Sequence, residues 1–153
     1  MFIDLGLTFD PLTRRCDLTL GEDFDLVLDT SSVPAMLVTA GLDRRADPDD
    51  ELPEGRTQFL APASFSERRG GIIDALSPIG RPGGCKMWLL DRAKQTEATR
   101  QLAEYWLQEG FAWVEQETGE PATIEVDWVR EHTLGYRIQV DDETLSLTKR
   151  VAD

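Results

Sequence analysis

Histidine occurs once in this chain, as His132, cysteine only twice, and no apolar run approaches the ~20 residues needed to cross a bilayer. Each shortage closes a route. The lone histidine stands in Glu131-His-Thr-Leu-Gly, between two strand-like segments and without a neighbouring nucleophile or orienting group, so it reads as a solvated turn residue. Cys16 and Cys85 lack Cys-x-x-Cys spacing, which leaves zinc unsupported. They read as two buried free thiols, with a disulfide as the alternative. Glycine-rich phosphate loops, a Gly-x-Ser-x-Gly elbow and an Asp-x-Asp-x-Asp-Gly calcium loop are all missing. Met1-Phe-Ile-Asp-Leu-Gly has neither the basic region nor the apolar stretch of a signal peptide, giving the expectation of a protein kept in the cytoplasm unless a larger particle carries it out.

Positive charge is the other deficit. Sixteen Lys and Arg stand against 29 Asp and Glu, a net charge of −13 that nucleic-acid backbones and anionic lipid surfaces repel. General acid/base chemistry by paired carboxylates is the one enzymatic route left open, and it would suit a cell-wall hydrolase. With so many acids close groups are inevitable, however, and Asp47-Pro-Asp-Asp-Glu51 reads as a solvated loop. No catalytic residue, cofactor or metal is therefore expected. The charge is also unevenly spread, at −8 over residues 1–52, +3 over 53–94 and −8 over 95–153. Separated charge of opposite sign on a small body favours ordered docking of copies or partners, which points to an assembly protein before an enzyme.

What is present is an ordinary globular composition, 41% hydrophobic, in a chain long enough to bury about 68–70% of its unfolded surface in one core. One domain over residues 1–153 is expected, in three stretches. Over residues 1–42, alternating Asp17-Leu-Thr-Leu and Phe24-Asp-Leu-Val-Leu, broken at Asp10-Pro11 and Gly21-Glu22-Asp23, predict short strands or extended arms. A short helix follows, with Ser31 or Ser32 as N-cap, Pro34 in the first turn, Met36, Leu37 and Ala40 on one side, and a stop at Gly41. Residues 43–84 hold five of the eight prolines and six of the twelve glycines, yet Phe59, Leu60, Phe65, Ile72, Ile73, Leu76 and Ile79 are too apolar to stay solvated, so this segment is expected to be ordered by a partner.

Residues 85–153 carry the predicted core. Cys85-Lys-Met-Trp-Leu-Leu-Asp suggests one or two helical turns, then a helix from about Thr96 to Glu117 with Ala98, Leu102, Tyr105, Trp106, Ala112 and Trp113 inward and Gly110 marking a kink or close packing. Three alternating segments follow. Ile124, Val126 and Trp128 share one face, as do Tyr136, Ile138 and Val140, and Thr144-Leu-Ser-Leu-Thr repeats the period after a hairpin turn. The class is α+β, a long aromatic-rich helix on an antiparallel meander.

Two arginine doublets stand beside turns, Arg44-Arg45 and Arg68-Arg69-Gly70. Planar guanidinium forks suit bridging to carboxylates, either of this chain, where they would fix loops, or of a neighbour.

At these residues the chain resembles a known family. Leu42-Asp-Arg-Arg-Ala-Asp, Arg68-Arg-Gly-Gly-Ile-Ile-Asp74 and Gly84-Cys-Lys-Met-Trp-Leu-Leu-Asp-Arg-Ala-Lys94, followed by an aromatic helix and strands, look like the small baseplate protein of Mu-like contractile-tailed phages. That family is similar in turn to the sheath-initiator, or tail-lysozyme-like wedge, group shared with type VI secretion and other contractile injection machines. Glu120-Pro121-Ala122 stands where that group has Glu-Pro-Arg, without the arginine. The resemblance implies a structural subunit in several copies of a virion tail baseplate, assembled in a bacterial host cytoplasm. Its partners would be larger wedge subunits, tail tube or hub, and sheath proteins, with no nucleic acid and no membrane.

The same resemblance implies that the meander accepts extended strands from sheath subunits. The expected interface is the hairpin with Tyr136, Ile138, Leu145, Leu147 and Lys149, the turn at Glu120 and Pro121, and the docking loop with Arg44, Arg45, Arg68, Arg69 and Gly70.

Overall fold

The computed structural model describes residues 2–53, 66–71, 74, 80 and 82–151. Phe59, Leu60, Phe65, Ile72, Ile73, Leu76 and Ile79, expected to gain burial from a partner, lie outside the described residues. The order of elements is α+β as predicted. Strands β1 (Asp4–Leu5), β2 (Leu7–Asp10), β3 (Arg15–Leu18) and β4 (Leu28–Asp29) precede helix α1 (Val33–Gly41). A 3-10 helix (Lys86–Arg92), helices α2 (Glu97–Gly110) and α3 (Trp113–Thr118), and strands β5 (Thr123–Arg130), β6 (Thr133–Val140) and β7 (Glu143–Arg150) follow.

Helix α1 starts after Ser32 with Pro34 in its first turn, where a missing N–H costs nothing. Its core side differs from expectation: Met36 and Thr39 are buried, whereas Leu37 faces solvent. Thr39 tolerates burial because its hydroxyl donates to Ala35 O at 2.8 Å and accepts from Trp113 Nε1 at 3.0 Å.

Helix α2 is capped by Thr96, whose hydroxyl accepts from Thr99 N, and Glu97 in its first turn faces the positive end of the helix dipole. Its buried face is Thr99, Ala103, Trp106 and Leu107, one residue out of phase with the expected one; Ala98, Leu102 and Tyr105 (60% exposed) point away from the core, as does Ala112 beyond it. The bulkiest side chains misled the phase because this helix uses small residues where it packs closest. A Cβ on Gly110 would lie 2.9 Å from the Cys85 Cβ. The helix breaks there and resumes as α3, which ends at Gly119 in the left-handed region, φ +91°.

The meander has strand order β5-β6-β7, all antiparallel. Its inward face carries Ile124, Val126 and Trp128 from β5, Leu134, Tyr136, Ile138 and Val140 from β6, and Leu145 and Leu147 from β7, packed with Met87, Trp88, Leu90, Leu107 and Phe111. Burial pushes the Tyr136 hydroxyl up to about 12. His132 takes φ +53° in the β5–β6 turn, and its backbone N–H donates to Gln95 Oε1.

The two thiols differ from expectation. Both are free, but only Cys85 is buried, and Cys16 is exposed on β3. Burial raises the Cys85 thiol above its ordinary value, which favours the inert protonated form.

Candidate functional site

Strand β7 lies at the margin of the meander, paired with β6 on one side, and among the described residues no strand lies on its other side. Its register places Leu145 opposite Ile138 and Leu147 opposite Tyr136, and the ladder continues past the strand end as Val151 N donating to His132 O at 2.9 Å. Antiparallel pairs alternate between hydrogen-bonded and non-hydrogen-bonded. The Val151–His132 bond therefore fixes the parity: Leu145, Leu147 and Lys149 bond inward to β6, while the N–H and C=O groups of Thr144, Ser146 and Thr148 point to the open side.

The opposite margin is different. On β5, Arg100 of α2 donates to Val126 O at 3.0 Å, so a side chain already occupies part of that edge. The outer surface of the sheet beside β7 is a shallow groove lined by Glu125, Asp127, Val129, Arg137, Ser146 and Thr148, with Val129 lying across Gly135.

The expected hairpin residues divide accordingly. Tyr136 and Ile138 belong to the central strand β6 and face the core. Leu145 and Leu147 are half-buried under β7 against the core. The Lys149 ammonium bonds Asp91 of the 3-10 helix. Glu120 and Pro121 are exposed in the short link between α3 and β5.

All four doublet arginines make contacts inside the chain. Arg44 donates to Glu109 O at 3.2 Å, and its own carbonyl accepts from Trp88 Nε1 at 2.8 Å. Arg45 donates to Arg69 O, and Arg68 holds the carbonyls of Asp47 and Pro48. Arg69 stacks over the Trp88 ring, 4.4 Å to its centroid, while pairing with Asp43 at 2.6 Å and Asp91 at 3.0 Å. Gly70 follows at φ +105°, where a Cβ would press on the Arg45 Cβ at 3.0 Å. The loop-fixing role is thus observed for these arginines, and Asp91 ties the same loop to β7 through Lys149.

Sequence reasoning missed Lys86. It is buried, 5% exposed at the side chain, and its ammonium meets Asp47 at 2.6 Å, Asp50 at 2.9 Å and Glu109 at 3.6 Å. Burial works against its charge, but the bonds to Asp47 and Asp50 prevail and hold it above the ordinary lysine value. The Lys86 bond in turn holds Asp47 below the usual carboxylate range. The acidic run 47–51 is therefore partly an internal ion cluster rather than a wholly solvated loop. The only signal was a lysine inside an apolar run.

Comparison with known proteins adds two findings. The family described as Phage protein GP46 matches residues 33–146. Baseplate protein gp46 of Escherichia phage Mu is 30% identical over 93 residues, 61% of this chain and 57% of that protein, so the match spans little more than half of the relative's length.

Proposed function

We propose, because the chain belongs to the phage protein GP46 family, that it is a structural component of a contractile phage tail baseplate. In this reading it joins wedge and tube to the sheath, and templates sheath assembly by accepting an extended strand at β7. The observation that carries the finer part is the β7 margin, where among the described residues no strand pairs with the outward backbone groups of Thr144, Ser146 and Thr148, whereas on the opposite margin Arg100 already takes the Val126 carbonyl of β5. Six- or seven-residue strands added at such an edge gain main-chain bonds without rearranging the core.

The doublet arginines serve the same task by holding the loop rigid, and Asp91 links that loop to the strand a sheath subunit would meet. The subunit would sit in several copies in the virion tail baseplate, after assembly in the host cytoplasm. An equivalent place in another contractile injection machine follows from the same surface.

Proline distinguishes strand addition from simple packing. At Leu147 it would remove an inward bond to β6 and damage the fold. At Ser146 or Thr148 it removes only an outward N–H, which edge strands tolerate. S146P and T148P are expected to stay folded by circular dichroism, with a cost of about 1 kcal/mol, and to reduce sheath nucleation on assembled baseplates by about tenfold or more. Normal sheath assembly on S146P and T148P baseplates would remove strand addition at β7 from this reading.

A further inference from the structure

The charges of strand β7 gather at its two ends and differ in sign. Asp141 and Asp142 form the turn that leads into the strand and Glu143 opens it, whereas Lys149 and Arg150 close it. Thr144 to Thr148, between them, carry no charge. On the rise of an antiparallel strand Glu143 and Arg150 stand roughly 24 Å apart. The fold itself does not ask for the acidic end. A two-residue turn needs a backbone that tolerates positive φ, which Asp141 takes at +50°, and asparagine or glycine meets that need without charge. Three successive carboxylates repel one another, and among the described residues none of the three has an ion-pair partner. At the other end Lys149 reaches Asp91, while the exposed Arg150 shares a cross-strand row with Thr133 and Arg130.

These charges lie on the margin itself, where an added strand would meet them side by side. Opposite charges on neighbouring strands stabilise a sheet, and like charges directly opposite destabilise it. Both pairs within the meander are antiparallel, the slightly more stable arrangement per residue. We propose, on the premise of strand addition at β7, that this margin selects an antiparallel segment of another protein with opposite charges at its two ends. A carboxylate at the segment's N-terminal end lies beside Arg150, and a lysine or arginine at its C-terminal end lies beside Glu143. Apolar residues lie beside the half-buried Leu145 and Leu147, where they extend the core-facing side of the sheet. Two charges held this far apart set register as well as direction, because a slip by two residues takes both from their partners.

The probes are two labelled peptides with blocked ends and one composition, Glu-Thr-Thr-Leu-Thr-Leu-Thr-Lys and its counterpart with the terminal Glu and Lys exchanged. Only the order of charge differs between them, so the net charge of the protein weighs equally on both. The full chain should bind the acid-first peptide about fivefold to tenfold more tightly, a preference that shrinks as salt rises. E143K/R150E leaves the net charge at −13 and should invert the preference. E143Q and R150Q, each a milder change, should reduce it without inverting it, and circular dichroism checks that all three variants are folded. S146P and T148P should bind neither peptide. Equal binding of the two peptides by the parent, a base-first preference, or an unchanged preference in folded E143K/R150E would overturn the charge-paired partner. If S146P still abolishes that binding, strand addition at β7 stands without it. Binding that survives both S146P and T148P, or no binding of either peptide by the parent, would overturn the two together.

Discussion

Replacing Lys86 with methionine is expected to destabilise the protein by about 3 kcal/mol at pH 7, because removing one partner of a buried ion cluster leaves the others uncompensated. Asp47, Asp50 and Glu109 would then face one another without the ammonium that meets all three. Glu109 Oε2 depends on it particularly, being buried without a hydrogen bond among the described residues, so charge attraction alone holds it. The partial exposure of the carboxylates keeps the cost near the low end of the range for buried pairs.

Linkage gives this prediction a pH signature. Lys86 lies above its ordinary 10.5, so its contribution is complete below that value and is lost only as pH rises through the raised one. Asp47 lies below its ordinary 3.8, so its contribution is present above that value and is lost as pH falls through the lowered one. In the parent the cluster is therefore intact across neutral pH. Asp47 loses in the variant the bond that holds it low in the parent, so the deficit of K86M should shrink as pH falls from 7 toward about 4 in urea titrations. K86M/D50N should recover part of the loss at pH 7 by removing one of the repelling charges. A deficit independent of pH would mean that Lys86 acts through packing of its alkyl stem.

Gly84→Ala is the second large effect. At φ +79° the backbone is in a region alanine avoids, and an added Cβ would stand 2.2 Å from Leu42 O. That carbonyl accepts from Cys85 N at 3.0 Å, and Cys85 O accepts from Arg44 N at 3.1 Å, so relieving the clash breaks the bridge joining residues 42–44 to the start of the 3-10 helix. Strain and lost bonds together should cost about 3–5 kcal/mol, lowering the melting temperature by roughly 10 °C. The buried Cys85 thiol should become reactive in the same variant. Gly119→Ala separates the two causes, since Gly119 shares the positive φ, at +91°, but has open space around it. It should cost only about 1 kcal/mol.

The meander was legible in the sequence because alternation carries its own phase. Ile124, Val126 and Trp128 must share a face whatever they pack against, and Tyr136, Ile138 and Val140 likewise. What alternation cannot express is strand order, so it left open which strand of the last hairpin, β6 or β7, stands at the margin. Helix α2 was legible as a helix but not in rotation, because its closest packing falls on small residues, Ala103 fully buried and Gly110 close against Cys85, rather than on the bulkiest ones. The ion cluster was hidden for a different reason. Lys86 meets Asp47 39 residues away, and no local pattern encodes a charge pair across that distance.

The bonds that close the body also dictate when it can form. Trp113 reaches Thr39 across 74 residues, Arg44 reaches Glu109 across 65, and Lys149 reaches Asp91 across 58. Loop-closure entropy must be spent before such distant contacts return anything, which makes the body a high-contact-order, slow element of folding. The hairpin of β2 and β3 pairs near neighbours, Asp10 with Arg15 and Leu7 with Leu18, and needs no such wait. During synthesis, β2 and β3 can therefore pair as soon as they emerge, whereas Thr39 of α1 waits for Trp113, 74 residues further along the chain.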